Sequence, residues 1–238
     1  VATLVWSGTT GPATTEEPVR ADGDTLTGTV ANVLFGAQAE ILLVAASTDN
    51  GVVLFEVDPA AVRIERTVAM DTTTQLATLT LDGAPATRLG GSADAALDRA
   101  HLVGAVGVAC LQLGCAQRAL DMTVAYTKER VQFGRPIGSF QALKHRMADL
   151  LVEVEMSRSA VWAASYAVAT GAADAPTLVA ATASYCGDAL AHIASETVQL
   201  HGGIAITWEH DAQMVFKRAH ALNQLFGLPH THRAALIG

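Results

Sequence analysis

Two segments of this 238-residue chain hold the residue types that could bind or transform a charged, planar ligand. The first is Glu129-Arg130-Val131-Gln132-Phe133-Gly134-Arg135-Pro136-Ile137-Gly138-Ser139-Phe140-Gln141. The second is Gln199-Leu200-His201-Gly202-Gly203-Ile204-Ala205-Ile206-Thr207-Trp208-Glu209-His210-Asp211. Each falls where one long apolar-periodic stretch ends and another begins. Helix ends expose unpaired backbone groups, and glycines such as Gly202 and Gly203 let a ligand approach the main chain. A guanidinium such as Arg130 pairs with a pyrophosphate through two parallel hydrogen bonds, and a ring such as Phe133 packs beside a planar group. The chemistry on offer is an anion or nucleotide site. The same residues also suit a plain helix C-terminus with its glycine cap, and local physics alone leaves both readings open.

The elements that must position these segments change in character near residue 90. Before it, runs over 2–6, 25–30, 41–46, 52–57 and 77–81 are rich in Val, Thr and Leu and read as strands. Asp22-Gly23-Asp24, Asp49-Asn50-Gly51 and Asp82-Gly83 read as the turns between them. Five or more short strands with tight connections predict an antiparallel barrel or sandwich. Leu89-Gly90-Gly91-Ser92 marks the boundary, with Ser92 placed to cap the next helix. The expected division is a β domain over 1–91 and a helical domain over 92–238, an α+β chain.

Beyond the boundary no strand is evident. Leu97, Gly104, Val108, Leu111, Cys115, Met122 and Tyr126 form one apolar helix stripe. Helices are expected to follow over 139–170, stopped by Gly171, over 176–200, stopped by Gly202-Gly203, over 209–221, and from 229 onward. Long helices with short links predict an antiparallel bundle. Trp208-Glu209-His210 should anchor the start of the fourth helix, and Lys144 and His145 should lie on a solvated face.

Composition excludes several classes. The formal charge is −8, and residues 1–91 carry 11 acidic against 4 basic groups. With no basic tract the chain is a poor nucleic-acid binder. No uninterrupted apolar run approaches the roughly 20 residues that cross a bilayer, so a soluble protein is expected. The chain opens at Val1 without Met, which suggests a trimmed or partial chain, and shows no leader pattern. Cys110, Cys115 and Cys186 form no C-x-x-C pair and sit among apolar residues, so reduced, buried thiols in a cytoplasmic protein are expected. His201 and His210 flank the Gly-Gly turn, but no cysteine or carboxylate stands at metal-ligand spacing, so no metal is expected. No G-x-G-x-x-G, P-loop or G-x-S-x-G occurs.

Together, the two helix-end segments, about 70 residues apart behind a β domain, resemble the acyl-CoA dehydrogenase family. ERVQFGRPIGSFQ is similar to that family's R-x-x-F-G signature, and QLHGG to its Q-x-x-G-G signature. The resemblance covers the whole chain as the middle β domain and C-terminal bundle, without the N-terminal helical domain. It implies FAD as cofactor, with its ADP half held by Arg130, Gln132, Phe133, Gln141, Gln199, Gly202 and Gly203. It also implies an acyl-CoA substrate and an electron-transfer acceptor.

The flavin side departs from the family pattern. Where relatives read K-x-[WF]-I-[TS]-x-[GA], this chain has Val30-Ala31-Asn32-Val33-Leu34-Phe35-Gly36, and the earlier loop is replaced by Trp6-Ser7-Gly8-Thr9-Thr10-Gly11. The usual catalytic Glu before a Gly is replaced by Phe226, which cannot take a proton. Asp98, before Arg99, matches the alternative base position. It is one methylene shorter than Glu and also suits a helix start. This pattern resembles the base-lacking subunit of actinobacterial α2β2 acyl-CoA dehydrogenases of sterol side-chain catabolism. Such a subunit would complete the FAD site of a homologous, base-bearing partner that forms a trans-2-enoyl-CoA. Two alternatives stand beside it: a self-sufficient homo-oligomer using Asp98, and a structural subunit that binds no flavin.

Overall fold

The computed structural model describes residues 1–6 and 17–237. Residues 7–11 of the replaced loop lie outside the described residues. The first part of the chain forms β1 (Ala2–Val5), β2 (Arg20–Asp22), β3 (Thr25–Leu34), β4 (Ile41–Thr48), β5 (Gly51–Val57), β6 (Arg63–Thr67) and β7 (Leu76–Ser92). Pairing runs β4-β2-β3-β7-β5, and β5 returns to β4, so five strands close a barrel, with β1 added on β4 and β6 on β7. The sheet is not wholly antiparallel as expected. Both β1 and β2 run parallel to β4, along its start and at Ser47 respectively.

Period-2 alternation turns one face of each strand inward. Leu42, Val44 and Ala46 of β4 meet Val53, Phe55 and Val57 of β5, Leu26, Val30 and Val33 of β3, and Leu79 and Leu81 of β7 in one core. Each large side chain so buried stabilises the unit by roughly 1.5–3 kcal/mol.

The largest difference from expectation is β7. The turn expected at Asp82-Gly83 does not form, and the strand continues for 17 residues. Gly83 takes φ +63 inside the strand, and the pairing register with β3 shifts beside it, between Leu26 and Gly28. That irregularity lets one strand pair with β3 up to Pro85 and then with β5 from Ala86 to Ser92. Strands β2 and β6 are short and polar, and hydrophobic alternation does not mark them.

The second part comprises α1 (Asp94–Glu129), β8 (Val131–Gln132), β9 (Arg135–Pro136), α2 (Gln141–Thr170), α3 (Ala175–His201), α4 (Ala212–Leu222) and α5 (Pro229–Ile237). Two compact units divide the chain, Val1–His101 and Leu102–Gly238. Strand gives way to helix between Ser92 and Asp94, and the first two turns of α1 belong to the sheet unit. Ser92 Oγ accepts the Asp94 N–H at 3.2 Å.

Within the helical unit α3 is central, packed by α2, α4 and α5. Gly171 ends α2 at φ 67 and Gly202 ends α3 at φ 64, each N–H returning to carbonyls three or four residues back. Of the expected stripe on α1, Val108 is buried and Cys115 and Met122 pack against the core, whereas Leu111 is exposed; the fully buried line runs one residue further on, through Ala105, Ala109, Gln112, Ala116, Ala119, Thr123 and Thr127. Small side chains let the neighbouring helices come close, and the larger ones flank the contact.

Among the described helices, α1 alone is long and apolar enough to cross a membrane. It is a bundle helix here: its buried Gln112 donates to Asn223 Oδ1 at 2.9 Å, and Val108, Ala116 and Leu120 join Leu150, Leu190 and Ile193 in a shared core. The cysteines correct another expectation. All three are free, but Cys110 is exposed and Cys115 half-buried; Cys186 alone is buried.

Candidate nucleotide site

At the C-terminus of α1 the chain leaves the helix through a tight hairpin. Val131 pairs with Pro136 and Gln132 with Arg135, leaving Phe133 and Gly134 as a two-residue loop at φ 55 and φ 77. Positive φ at both positions is the type I′ geometry, which ordinarily calls for Asn-Gly or Gly-Gly. A phenylalanine there sits in a conformation costing roughly 1–2 kcal/mol. Its ring is also 92% exposed. A strained backbone that carries an exposed ring marks a candidate binding residue, since such outliers gather at binding sites.

The hairpin is held from behind. Tyr126 O accepts the Arg130 N–H at 2.9 Å, and Arg130 O accepts the Ile137 N–H at 2.8 Å. Gly138 fits against the end of α1 so closely that a Cβ would stand 2.9 Å from Thr127 O. The Arg135 guanidinium lies 4.0 Å over the Phe140 ring, and Phe140 meets Phe133 edge-on at 6.1 Å. Arg130 and Gln132 are exposed, and Gln132 turns its amide to Val131 O. Gln141 opens α2 and lies 3.1 Å from His145 Nε2; Lys144 and His145 are exposed as expected.

The second segment closes α3. Gln199, Gly202 and Gly203 are all exposed, and a Cβ on either glycine would meet nothing within 4 Å, so the main chain is open to a ligand there. The two segments adjoin through aromatic rings. Tyr126, one turn before Arg130, stacks on His201 at 4.4 Å, and His201 lies 4.4 Å from His210. His201 Nδ1 donates to Thr197 O at 2.7 Å. Burial holds its imidazole below the ordinary range, the Thr197 bond opposes this, and the charge of His210 adds to it. His210 does anchor the fourth helix, its Nδ1 accepting the Ala212 N–H at 3.2 Å, although α4 begins three residues later than expected. The ring contact was missed from sequence. Its signal was the aromatic Tyr126 one turn before the arginine, with a histidine at the end of α3.

The remaining candidates stand apart. Asp98 is exposed on the second turn of α1, within the sheet unit. Phe226 takes φ 58, and its ring packs into two core clusters of the helical unit. Asn32 takes φ 58 where β3 loses register between Val30 and Val33, and Phe35 takes φ 54 just beyond. Among the described residues the non-glycine positions with positive φ are thus Asn32, Phe35, Phe133 and Phe226. All lie in segments whose residues suggested chemistry or departed from the resembled pattern.

Residues 94–236 match the model of the acyl-CoA dehydrogenase C-terminal domain. The chain belongs to the acyl-CoA dehydrogenase family. It is 50% identical over 160 residues to acyl-CoA dehydrogenase IpdE2 of Mycolicibacterium smegmatis, a match covering 67% of this chain and 47% of that protein. Among solved structures, the ChsE4-ChsE5 complex from Mycobacterium tuberculosis superposes with a TM-score of 0.87 at 28% identity, covering 99% of this chain and 65% of the other. The steroid ACAD Tcur3481-Tcur3483 superposes with a TM-score of 0.80 at 32% identity, covering 92% of this chain and 60% of the other. The chain thus spans about half the length of the IpdE2 relative and under two thirds of either solved neighbour. A sheet unit followed by a helical bundle is the acyl-CoA dehydrogenase fold.

The acyl-CoA dehydrogenases are flavoproteins, and the residues present fit the ADP half of FAD. An exposed guanidinium, an exposed ring on a strained turn and an uncovered Gly-Gly main chain are complementary to a pyrophosphate and a flat base.

Proposed function

We propose that this chain is the base-lacking subunit of a heteromeric, FAD-dependent acyl-CoA dehydrogenase. It supplies ADP-side contacts to a site shared with a homologous partner in an α2β2 heterotetramer. Arg130 pairs with the pyrophosphate, Phe133 packs on the nucleotide, and Gln132, Gln141 and Gln199 offer amides. Gly202 and Gly203 bring bare main chain to the ligand. Bound FAD supplies the hydride acceptor for α,β-dehydrogenation to a trans-2-enoyl-CoA, with electrons passed on to an electron-transfer acceptor. The carboxylate that removes the α-proton comes from the partner. The reaction is placed in the cytoplasm.

The observation that carries this reading is Phe226. The position that should hold a base holds a half-buried phenyl ring packed against two apolar clusters. The helix-end residues, by contrast, remain exposed. The heteromeric ChsE4-ChsE5 neighbour favours a two-chain site, and the steroid ACAD neighbour favours a bulky steroid side-chain CoA thioester as substrate.

The test is to purify the chain alone and with its co-expressed genomic neighbour, then measure FAD per subunit and dye-coupled activity. Activity and full FAD only in the complex, lost on Arg130→Ala, are the expected results. A fully flavinylated, active chain on its own would overturn the proposal. Unchanged FAD in the Arg130→Ala complex would leave the structural-subunit alternative. Loss of turnover in an Asp98→Asn complex would move the base to this chain.

A further inference from the structure

Three rings from three parts of the helical unit meet behind the proposed nucleotide contacts. Tyr126 lies on the last full turn of α1 and its carbonyl holds the Arg130 N–H. His201 is the last residue of α3, directly before Gly202. His210 caps the first turn of α4. Tyr126 and His201 stack with 29° between their planes, and His201 and His210 are tilted by 47°. His201 is 3% exposed, and its Nε2 is fully buried with no hydrogen-bond partner. An orphaned polar atom in a buried place is a cost that calls for an explanation.

Resting on the reading above, we propose that His201 is a positioning residue for FAD: it locks the Arg130 end of α1 to the Gly202-Gly203 turn by its stack on Tyr126. A plain aliphatic residue would fill the same volume without leaving an orphaned nitrogen. An imidazole adds the bond from Nδ1 to Thr197 O, which fixes the ring plane along the helix and so fixes where Tyr126 must lie. With that bond made, the neutral ring carries its proton on Nδ1 and leaves Nε2 bare. His210, accepting the Ala212 N–H at Nδ1, carries its proton on Nε2.

This arrangement holds only while the His201 ring is neutral. The titratable groups facing His201 are Tyr126 from α1 and His210 from the turn before α4. A second proton on His201 would sit on the buried Nε2 with no acceptor. Because burial lowers the His201 value in the fold, its contribution to folding stability is complete above the ordinary imidazole value and is lost as the pH falls through the lowered one. A charged ring whose buried Nε2 has no acceptor would loosen the stack on Tyr126, so FAD retention should weaken on acidification.

The experiment is fluorescence titration of FAD into the deflavinated complex from about pH 8 to about pH 5.5, for wild type, His201→Ala, His201→Phe and Arg130→Ala. His201→Ala should weaken FAD about tenfold at neutral pH, beside the fall in melting temperature that the emptied buried volume brings. His201→Phe keeps a stackable ring and should recover affinity to within about threefold, with no pH dependence below neutrality. Wild-type affinity in His201→Ala, or an acid limb that persists unchanged in His201→Phe, would overturn the inference. Unchanged FAD binding by Arg130→Ala would instead overturn the reading of the site itself. If His201→Ala does not assemble, Tyr126→Leu tests the same stack from α1, with the same tenfold weakening expected and wild-type affinity counting against it.

Discussion

The Phe226 ring lies directly on the backbone of Gly104: a Cβ at residue 104 would stand 2.3 Å from Phe226 Cε1. No relaxation short of moving the ring accommodates that atom. Gly104→Ala should therefore cost about 1–3 kcal/mol as an overpacked core. In a chain of this size each kcal/mol lowers the melting temperature by about 2–4 °C. Combining it with Phe226→Leu should recover more than half of the loss, which a double-mutant thermal series reads directly.

Phe226→Glu asks whether the missing base can be restored. The half-buried position packs against two apolar clusters, so a carboxylate there should cost about 1–3 kcal/mol. Calorimetry should show a clear drop in melting temperature, and the isolated chain should remain inactive. Turnover by this variant alone would mean that the site needs no partner carboxylate.

Phe133 separates stability from binding. Replacing it by Gly relieves the φ 55 backbone and removes a 92% exposed ring. The net gain, after the entropic cost of glycine, should be roughly 0.5 kcal/mol for the ligand-free chain. FAD affinity in the complex should nevertheless fall. A variant both less stable and equally good at binding FAD would assign Phe133 to the fold.

Acid stability should depend on the Arg146–Glu196 pair, which ties α2 to α3 through two side-chain hydrogen bonds. The hydrogen bond from Arg146 holds the Glu196 carboxyl below its ordinary 4.5. The stabilisation is thus complete above about that value and lost as the pH falls through the lower folded one. Arg146→Met should flatten this acid limb in pH-dependent unfolding curves. An identical limb in the variant would mean that other carboxylates set it.

Much of the architecture was legible because period-2 and helix-period patterns are strong where side chains are large. The strand cores around Leu42, Val44 and Phe55 and the glycine stops at Gly171 and Gly202 follow from such patterns. The errors share a cause: tertiary contact overrode local signal. Asp82-Gly83 has turn chemistry, yet β7 has partners on both sides of it, so the glycine became a bulge. In α1 the eye follows Leu111, but close helix packing selected the alanines and threonines beside it. For the site, the arginine and the glycines are visible as types at helix ends. What places Phe133 at a hairpin tip is two consecutive left-handed residues, and nothing in Phe-Gly demands them. The Tyr126–His201 stack joins residues 75 positions apart, beyond any local pattern.

The 17-residue strand β7 also sets an order of events. It is the last strand in the sheet and the partner of β3, β5 and β6. A chain emerging from the ribosome therefore carries open edges on β3 and β5 until residues 76–92 are out, and these non-local pairings come late and slowly. Edges left open in this way are templates for wrong partners. Slowed translation or a truncation within 76–92 would thus expose the nascent chain to aggregation, whatever the merits of its finished core.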